Sequence, residues 1–242
     1  MKIGVIVPYY TPDRHTQELF ERCEASIDDR FEKIFVDSNK LGKGVSFSRN
    51  YGLDIAARMD LDYITFMDAD DVMLPEAYDN LRGAIREFKQ AQIIQLNHKR
   101  RKPDGTVWTK FFNTDRVFTV PNLPSLWMVV WNKVYKADLI EGIRFKPGLR
   151  HGEDELFNLR CLAKARKIHC SSMFHMMHCF DNPESLSKIV DMDDLIAEQR
   201  ELLEFVVDYS DDRVMCEIVR QRQAELWENC VYKATFSKDG TK

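Results

Sequence analysis

The chain opens on an apolar run, Ile3-Gly4-Val5-Ile6-Val7, that Pro8 stops, which is the pattern of a strand buried on both faces. Leu19, Phe20, Cys23 and Ile27 then recur along one side of residues 13–27 and predict a helix. Residues 33–36 predict a second strand, ending at Asp37. Residues 40–48, punctuated by Gly42 and Gly44, read as a loop and 49–58 as a helix. Residues 62–67 predict a third strand, 75–89 a helix and 92–97 a fourth strand. Strand–helix alternation over the first hundred residues predicts an α/β fold, with a mainly parallel sheet flanked by helices. Ligands of such sheets gather at the carboxyl ends of the strands. Pro8-Tyr9, Asp37 and the residues after Met67 all fall at such ends.

Beyond residue 100 the pattern changes. Pro103-Asp104-Gly105-Thr106 is a turn that joins the strand at 92–97 to one at 107–113 as a hairpin. Residues 121–124 read as a loop, and 131–139 lead to Phe145 and a turn at Pro147-Gly148. Residues 153–165 predict a helix with Leu156, Leu159, Leu162 and Ala163 on its apolar side, and 167–180 have mixed strand character. Two amphipathic helices follow, over 191–209 and 211–234, before a polar tail at 237–242.

The most distinctive chemistry is Asp68-Ala69-Asp70-Asp71, directly behind the third strand. Carboxylates so close repel one another, and burial raises the cost further. A hard divalent cation such as Mg²⁺ or Mn²⁺ relieves that repulsion. The alternative is a polar turn in which one Asp caps the following helix. Glu153-Asp154 opens another predicted helix, where acidic residues also favour the helix dipole. His169-Cys170 and His175 to Cys179 fit no standard zinc spacing. The basic run His98-Lys99-Arg100-Arg101-Lys102 reads either as a solvated strand end or as a contact to an anionic acceptor such as DNA.

Composition narrows the field. A net charge of −4 over 242 residues argues against a protein that coats nucleic acid. Six scattered cysteines form no disulfide framework and suit a reducing, cytoplasmic setting. No stretch approaches the ~20 apolar residues that a transmembrane helix requires, and the first residues lack a signal-peptide pattern.

Taken in order, Val5 to Tyr10, the Asp37 strand end, Gly44 to Gly52, Phe66 to Asp71, Trp131-Asn132-Lys133 and Gly152 to Phe157 resemble a family 2 glycosyltransferase of the GT-A fold. The resemblance runs over residues 1 to about 190. It implies a nucleotide-sugar half over 1–100 and an acceptor half over 101–190. The helical segment over 191–242 lies outside it, packing on the acceptor side or forming a homodimer contact. It also implies an inverting, metal-dependent transfer of a hexose or N-acetylhexosamine from a nucleotide-sugar, UDP-linked by preference, to a hydroxyl of a glycan or polymer.

Carried over residue by residue, Asp70 becomes the direct ligand of Mn²⁺ or Mg²⁺. Asp68 contacts ribose or metal, and Asp71 supports them. Either His175 or His178 closes over the metal, and His178 is taken as the ligand. Pro8, Tyr9 and Asp37 border the nucleobase, while Lys43 and Arg49 meet the phosphates. Asp154 is the catalytic base, and Glu153 shapes the acceptor pocket. The chain departs from the family at Asp37-Ser38-Asn39, where paired acidic residues followed by Gly-Ser are usual, and the connection to Gly44 is short. Three alternatives stand beside this reading: a glycosyltransferase of a modified base in viral DNA, a sugar-nucleotidyltransferase, and an inactive nucleotide-sugar-binding module. The stretch Tyr10-Thr11-Pro12-Asp13 is a poor phosphate loop for the second.

Overall fold

In a computed structural model the described residues are 1–110, 116–118, 128–183 and 192–236. The predicted loop at 121–124, the end of the hairpin strand at 111–113 and the tail at 237–242 lie outside them. The first half alternates as the pattern predicts: β1 (Ile3–Tyr9), α1 (Arg14–Ser26), β2 (Glu32–Asp37), α2 (Ser38–Leu41), α3 (Val45–Ala56), β3 (Tyr63–Phe66), β4 (Val72–Met73), α4 (Ala77–Glu87) and β5 (Ile93–Arg101). There follow β6 (Val107–Lys110), β7 (Arg116–Phe118), β8 (Lys133–Lys136), α5 (Ala137–Ile140), α6 (Glu153–Lys164), β9 (Ile168–Cys179), α7 (Met192–Asp208) and α8 (Arg213–Phe236).

The strands form one sheet in the order β2-β1-β3-β8-β5-β9-β4, with β6 on β5 and β7 on β9. Parallel pairing holds for β2-β1-β3 and returns between β5 and β9. The sheet as a whole is mixed, because β8 runs antiparallel to both β3 and β5. β8 thus interleaves the two expected halves: a strand from beyond residue 130 sits between two from before residue 102.

Two local readings shift. The helix expected at 49–58 starts at Val45, because Gly44 adopts φ 81° and turns the chain into it. Arg49 is therefore mid-helix and buried, not at a surface helix start. The basic run is not a solvated strand end either. β5 continues through Arg101 with β6 on one side and β9 on the other, His98 is buried, and Arg101 pairs with Asp181 at 2.6 Å.

One core cluster joins Ile6, Val36, Leu53, Phe66, Phe145 and Phe157 to Leu195, Leu202, Phe205, Met215 and Val219 of the C-terminal helices. A second lies around Val5, Phe20, Met67, Leu81 and Leu96. Among the described residues no helix is long and apolar enough to cross a membrane.

α3 lies close on β1 because Gly52 has no side chain: a Cβ there would come within 2.5 Å of Ile6 Cγ2. Gly52→Ala gains about 1 kcal/mol of helix propensity but overpacks this contact by ~2 kcal/mol, for an expected net loss of about 1 kcal/mol in urea unfolding. A stabilised variant would contradict this packing account.

Candidate active site

Arg49 organises the carboxyl edge of the sheet. From α3 its Nη2 donates to Asp68 Oδ1 at 2.9 Å, at the end of β3. Its Nη1 donates to Glu153 Oε1 at 3.0 Å and to Asp154 Oδ1 at 2.7 Å, in the first turn of α6. The guanidinium also lies 5.3 Å from the centroid of Phe145, whose ring stacks on Phe157 at 4.1 Å. The next residue, Asn50, exchanges two hydrogen bonds with the Phe145 backbone (2.9 and 2.8 Å) and so fixes the segment leading to α6. Burial works against the Arg49 charge, but Asp154, Asp68 and Glu153 outweigh it and hold its pKa above the ordinary arginine value. The Nη atoms of Arg49 meet the three carboxylates, whereas its buried Nε has no hydrogen-bond partner among the described residues.

Asp154 is surrounded. Oδ1 takes Arg49, and Oδ2 accepts from the Val130 N–H at 3.1 Å. Burial pushes its carboxyl up to about 7; Arg49 pulls the other way, while Glu153 and Asp68 add to the rise. The Val130 amide is offered by a turn that Lys133 closes, its Nζ donating to Val129 O at 2.6 Å and to Asn132 Oδ1 at 2.9 Å. Burial lowers Lys133 to about 7. Asn158, one turn along α6, donates to Met128 O and Asp154 O and accepts from the Tyr135 hydroxyl. Sequence reading marked Trp131-Asn132-Lys133 without assigning these contacts. It missed Asn158, a polar residue on the buried side of an amphipathic helix.

The three aspartates behind β3 meet three different partners. Asp68 pairs with Arg49. Asp71 is fully buried and accepts from the Cys179 N–H at 2.8 Å, with His178 Nδ1 3.1 Å from its Oδ1. The antiparallel pairing of β4 with β9 brings these segments together. Burial raises the Asp71 pKa against the pull of His178. Burial also acts to lower His178, but the hydrogen bond to Asp71 prevails and holds the imidazole above its ordinary value. The ring stacks on Trp131 at 5.0 Å.

Asp70 has no cation within ion-pair distance among the described residues. Its Oδ2 accepts from Asn182 at 2.8 Å, and its backbone carbonyl accepts from Arg22 at 2.6 Å. Burial and then Asp68 raise its pKa. Asp181, gripped by both Arg22 and Arg101, carries Asn182 to this place; nothing in the sequence marks that pair.

His175 is a core histidine, with Nε2 2.9 Å from Trp131 O and Nδ1 3.3 Å from Asn97 O, and burial lowers its pKa to about 4. Among the described residues no three His, Cys, Asp or Glu side chains stand close enough together to hold a metal ion by themselves.

At the adjoining strand ends, Tyr9 is opposite Asp37 in the parallel register, and its ring stacks on Phe20 at 4.0 Å. Asp37 caps α2, taking Asn39 N at 3.0 Å and Lys40 Nζ at 3.0 Å. Pro8, opposite Val36, ends the buried part of β1. Lys43 stands apart from the carboxylates, its Nζ 4.6 Å over the Phe47 ring, between two glycines of positive φ.

The family profile of Glycosyl transferase family 2 matches residues 5–144, which include most of β1, all of α3 and the Asp68 to Asp71 turn. Glycosyltransferase GlyA of Streptococcus pneumoniae is 22% identical over 204 residues, covering 69% of this chain and 29% of GlyA, so the chain spans less than a third of that relative. The structure of S. aureus TarS 1–349 in complex with UDP-GlcNAc superposes with a TM-score of 0.69 at 18% identity, over 90% of this chain and 72% of that one. The complex of the same protein with UDP has a TM-score of 0.66 at 18% identity, over 99% and 74%. The family match spans more than half of the chain, so the chain belongs to glycosyl transferase family 2, and its mixed sheet with flanking helices is the GT-A fold.

Proposed function

We propose that this protein transfers a hexose or N-acetylhexosamine from a nucleotide-sugar to an acceptor hydroxyl of a glycan or polymer, inverting the anomeric centre. A single observation carries this reading. Through Arg49, the acidic turn at the end of β3 and the carboxylate pair at the start of α6 become one site. A UDP-linked donor is favoured because TarS, of the same fold, was solved with UDP-GlcNAc. The donor lies along the strand ends, its base by Pro8, Tyr9 and Asp37 and its diphosphate toward Lys43 and Asp68.

Asp70 fits a cation seat: it is the one aspartate of the trio with no counter-charge among the described residues. Mg²⁺ commonly binds through one or two carboxylates, with substrate phosphates completing the set. As they stand, Asp70, Asp68 and His178 are not close enough together to hold an ion by themselves, so Mg²⁺ or Mn²⁺ would be held mainly by Asp70 and the donor's phosphates, with Asp68 and His178 alongside, His178 being oriented by Asp71. When bound, the ion neutralises the departing nucleoside diphosphate.

Asp154 takes the proton of the acceptor hydroxyl as its oxygen attacks the anomeric carbon from the face opposite the leaving group. Each of its oxygens is engaged once, by Arg49 or by Val130, and retains a lone pair for that proton. Glu153 borders the acceptor. A DNA acceptor has less support, because the basic run lies within the sheet and Arg101 is committed to Asp181.

Nucleotide release from UDP-, GDP- and dTDP-sugars, with Mn²⁺, Mg²⁺ or EDTA, tests the donor site. One donor should turn over slowly, and both EDTA and Asp70→Ala should abolish the release. If no nucleotide raises the melting temperature in a metal-dependent way, the nucleotide-sugar reading falls. Asp154 must be ionised to act, so protonation removes activity; kcat/KM should fall about tenfold per pH unit below ~7. A flat profile down to pH 5 would assign the base elsewhere. Arg49→Met leaves buried carboxylates without their partner and should cost about 3–5 kcal/mol in urea unfolding. A loss under 1 kcal/mol would show that Arg49 does not hold this edge together.

A further inference from the structure

Residues 146–152 lead directly into Glu153-Asp154, and they are tied to α7. Lys146 Nζ lies 2.9 Å from Glu201 Oε1, Arg150 Nε 3.7 Å from Asp194 Oδ1, and His151 Nδ1 2.7 Å from Glu198 Oε2. Asp194, Glu198 and Glu201 are spaced so that they share one face of a helix. Glu198 is 2% exposed and is pressed against the start of α6: a Cβ on Gly152 would lie 2.3 Å from its carboxyl carbon. Gly152 has φ 81°, so only glycine both adopts this turn without strain and admits that carboxylate. On the other side, Arg222 of α8 grips Glu155 with two bonds of 2.7 and 2.9 Å.

The first turn of α6 is thus held from opposite directions. Glu153 and Asp154 face Arg49, while Glu155 and the backbone of Gly152 face the C-terminal helices. Buried, bidentate charged contacts of this kind fix geometry more than they add stability. A carboxylate that must meet an acceptor hydroxyl at hydrogen-bond distance is sensitive to such fixing, since a shift near 1 Å costs about 10²-fold in rate.

We infer that the C-terminal helix pair is part of the catalytic unit, with Glu198 as a positioning residue that holds Asp154 in place through His151 and Gly152. This rests on the proposed role of Asp154 as the base. The unit then extends through Arg222 of α8 and does not end near residue 190.

The test compares wild type, Glu198→Ala, Glu198→Gln, Arg222→Gln and Asp154→Asn. It measures donor turnover, UDP binding, and hydrogen exchange of the Leu156 amide, which donates to Gly152 O at 3.0 Å and closes the first turn. Glu198→Ala should lower kcat by about 10²-fold with donor KM and UDP affinity within twofold, and should speed Leu156 exchange. Glu198→Gln, which keeps the shape and an acceptor oxygen, should recover most of the rate. If Glu198→Ala does not fold, Arg222→Gln is read in its place, with the same split expected. Wild-type kcat in the Glu198 and Arg222 variants, while Asp154→Asn is inactive, overturns the positioning role and leaves the base assignment standing. Full activity of Asp154→Asn overturns the base assignment itself. Unchanged Leu156 exchange overturns the positioning role whatever the turnover.

Discussion

The guanidinium of Arg49 meets three carboxylates in a buried position, and the carboxyl edge of the sheet is arranged around it. Burying a charge is costly, and an unpaired carboxylate in the same place would cost more. Asp68 follows the end of β3, and Glu153 and Asp154 open a helix more than a hundred residues after Arg49, so the cation can be satisfied only if β3, α3 and α6 all take their places. Gly52 sets the distance of α3 from β1, and Asn50 locks the segment before α6. The stacked rings of Phe145 and Phe157 close the apolar side of the site.

The same logic separates the neighbouring aspartates. Three carboxylates in four residues would repel if left alike, and the fold gives each a different environment. Asp68 is paired with the Arg49 guanidinium. Asp71 is sealed in the sheet with a backbone amide and an imidazole. Among the described residues the Asp70 carboxylate meets only the neutral amide of Asn182, while the Arg22 guanidinium holds its backbone carbonyl.

Support for this arrangement comes from beyond the matched residues 5–144. α6, β9 and the C-terminal helices supply Asp154, His178 and the acidic face of α7. The apolar side chains of α7 and α8 lie in the same core as Phe66 and Phe157, so these helices are structurally continuous with the sheet.

Much of the first half is legible in the sequence, because buried strands and amphipathic helices carry their periodicity locally. The acidic turn and the Arg49-Asn50 and Glu153-Asp154 pairs stand out as residue types. Their family resemblance depends only on order along the chain. The pattern does not reveal that β8 enters antiparallel between β3 and β5, since strand neighbours are chosen by non-local pairing and apolar runs do not encode direction. Nor does it separate a phosphate-facing arginine from one locked by three carboxylates. That difference is made by residues from distant segments, and helix α3 begins four residues earlier than its composition suggests because of one glycine torsion. His175 and His178 look alike in sequence; strand pairing sends one to two carbonyl oxygens of the core and the other to Asp71. Residue chemistry and local periodicity are thus properties of the chain. Which charges compensate one another, and which aspartate meets no cation among the described residues, are decided only when the strands close into a sheet.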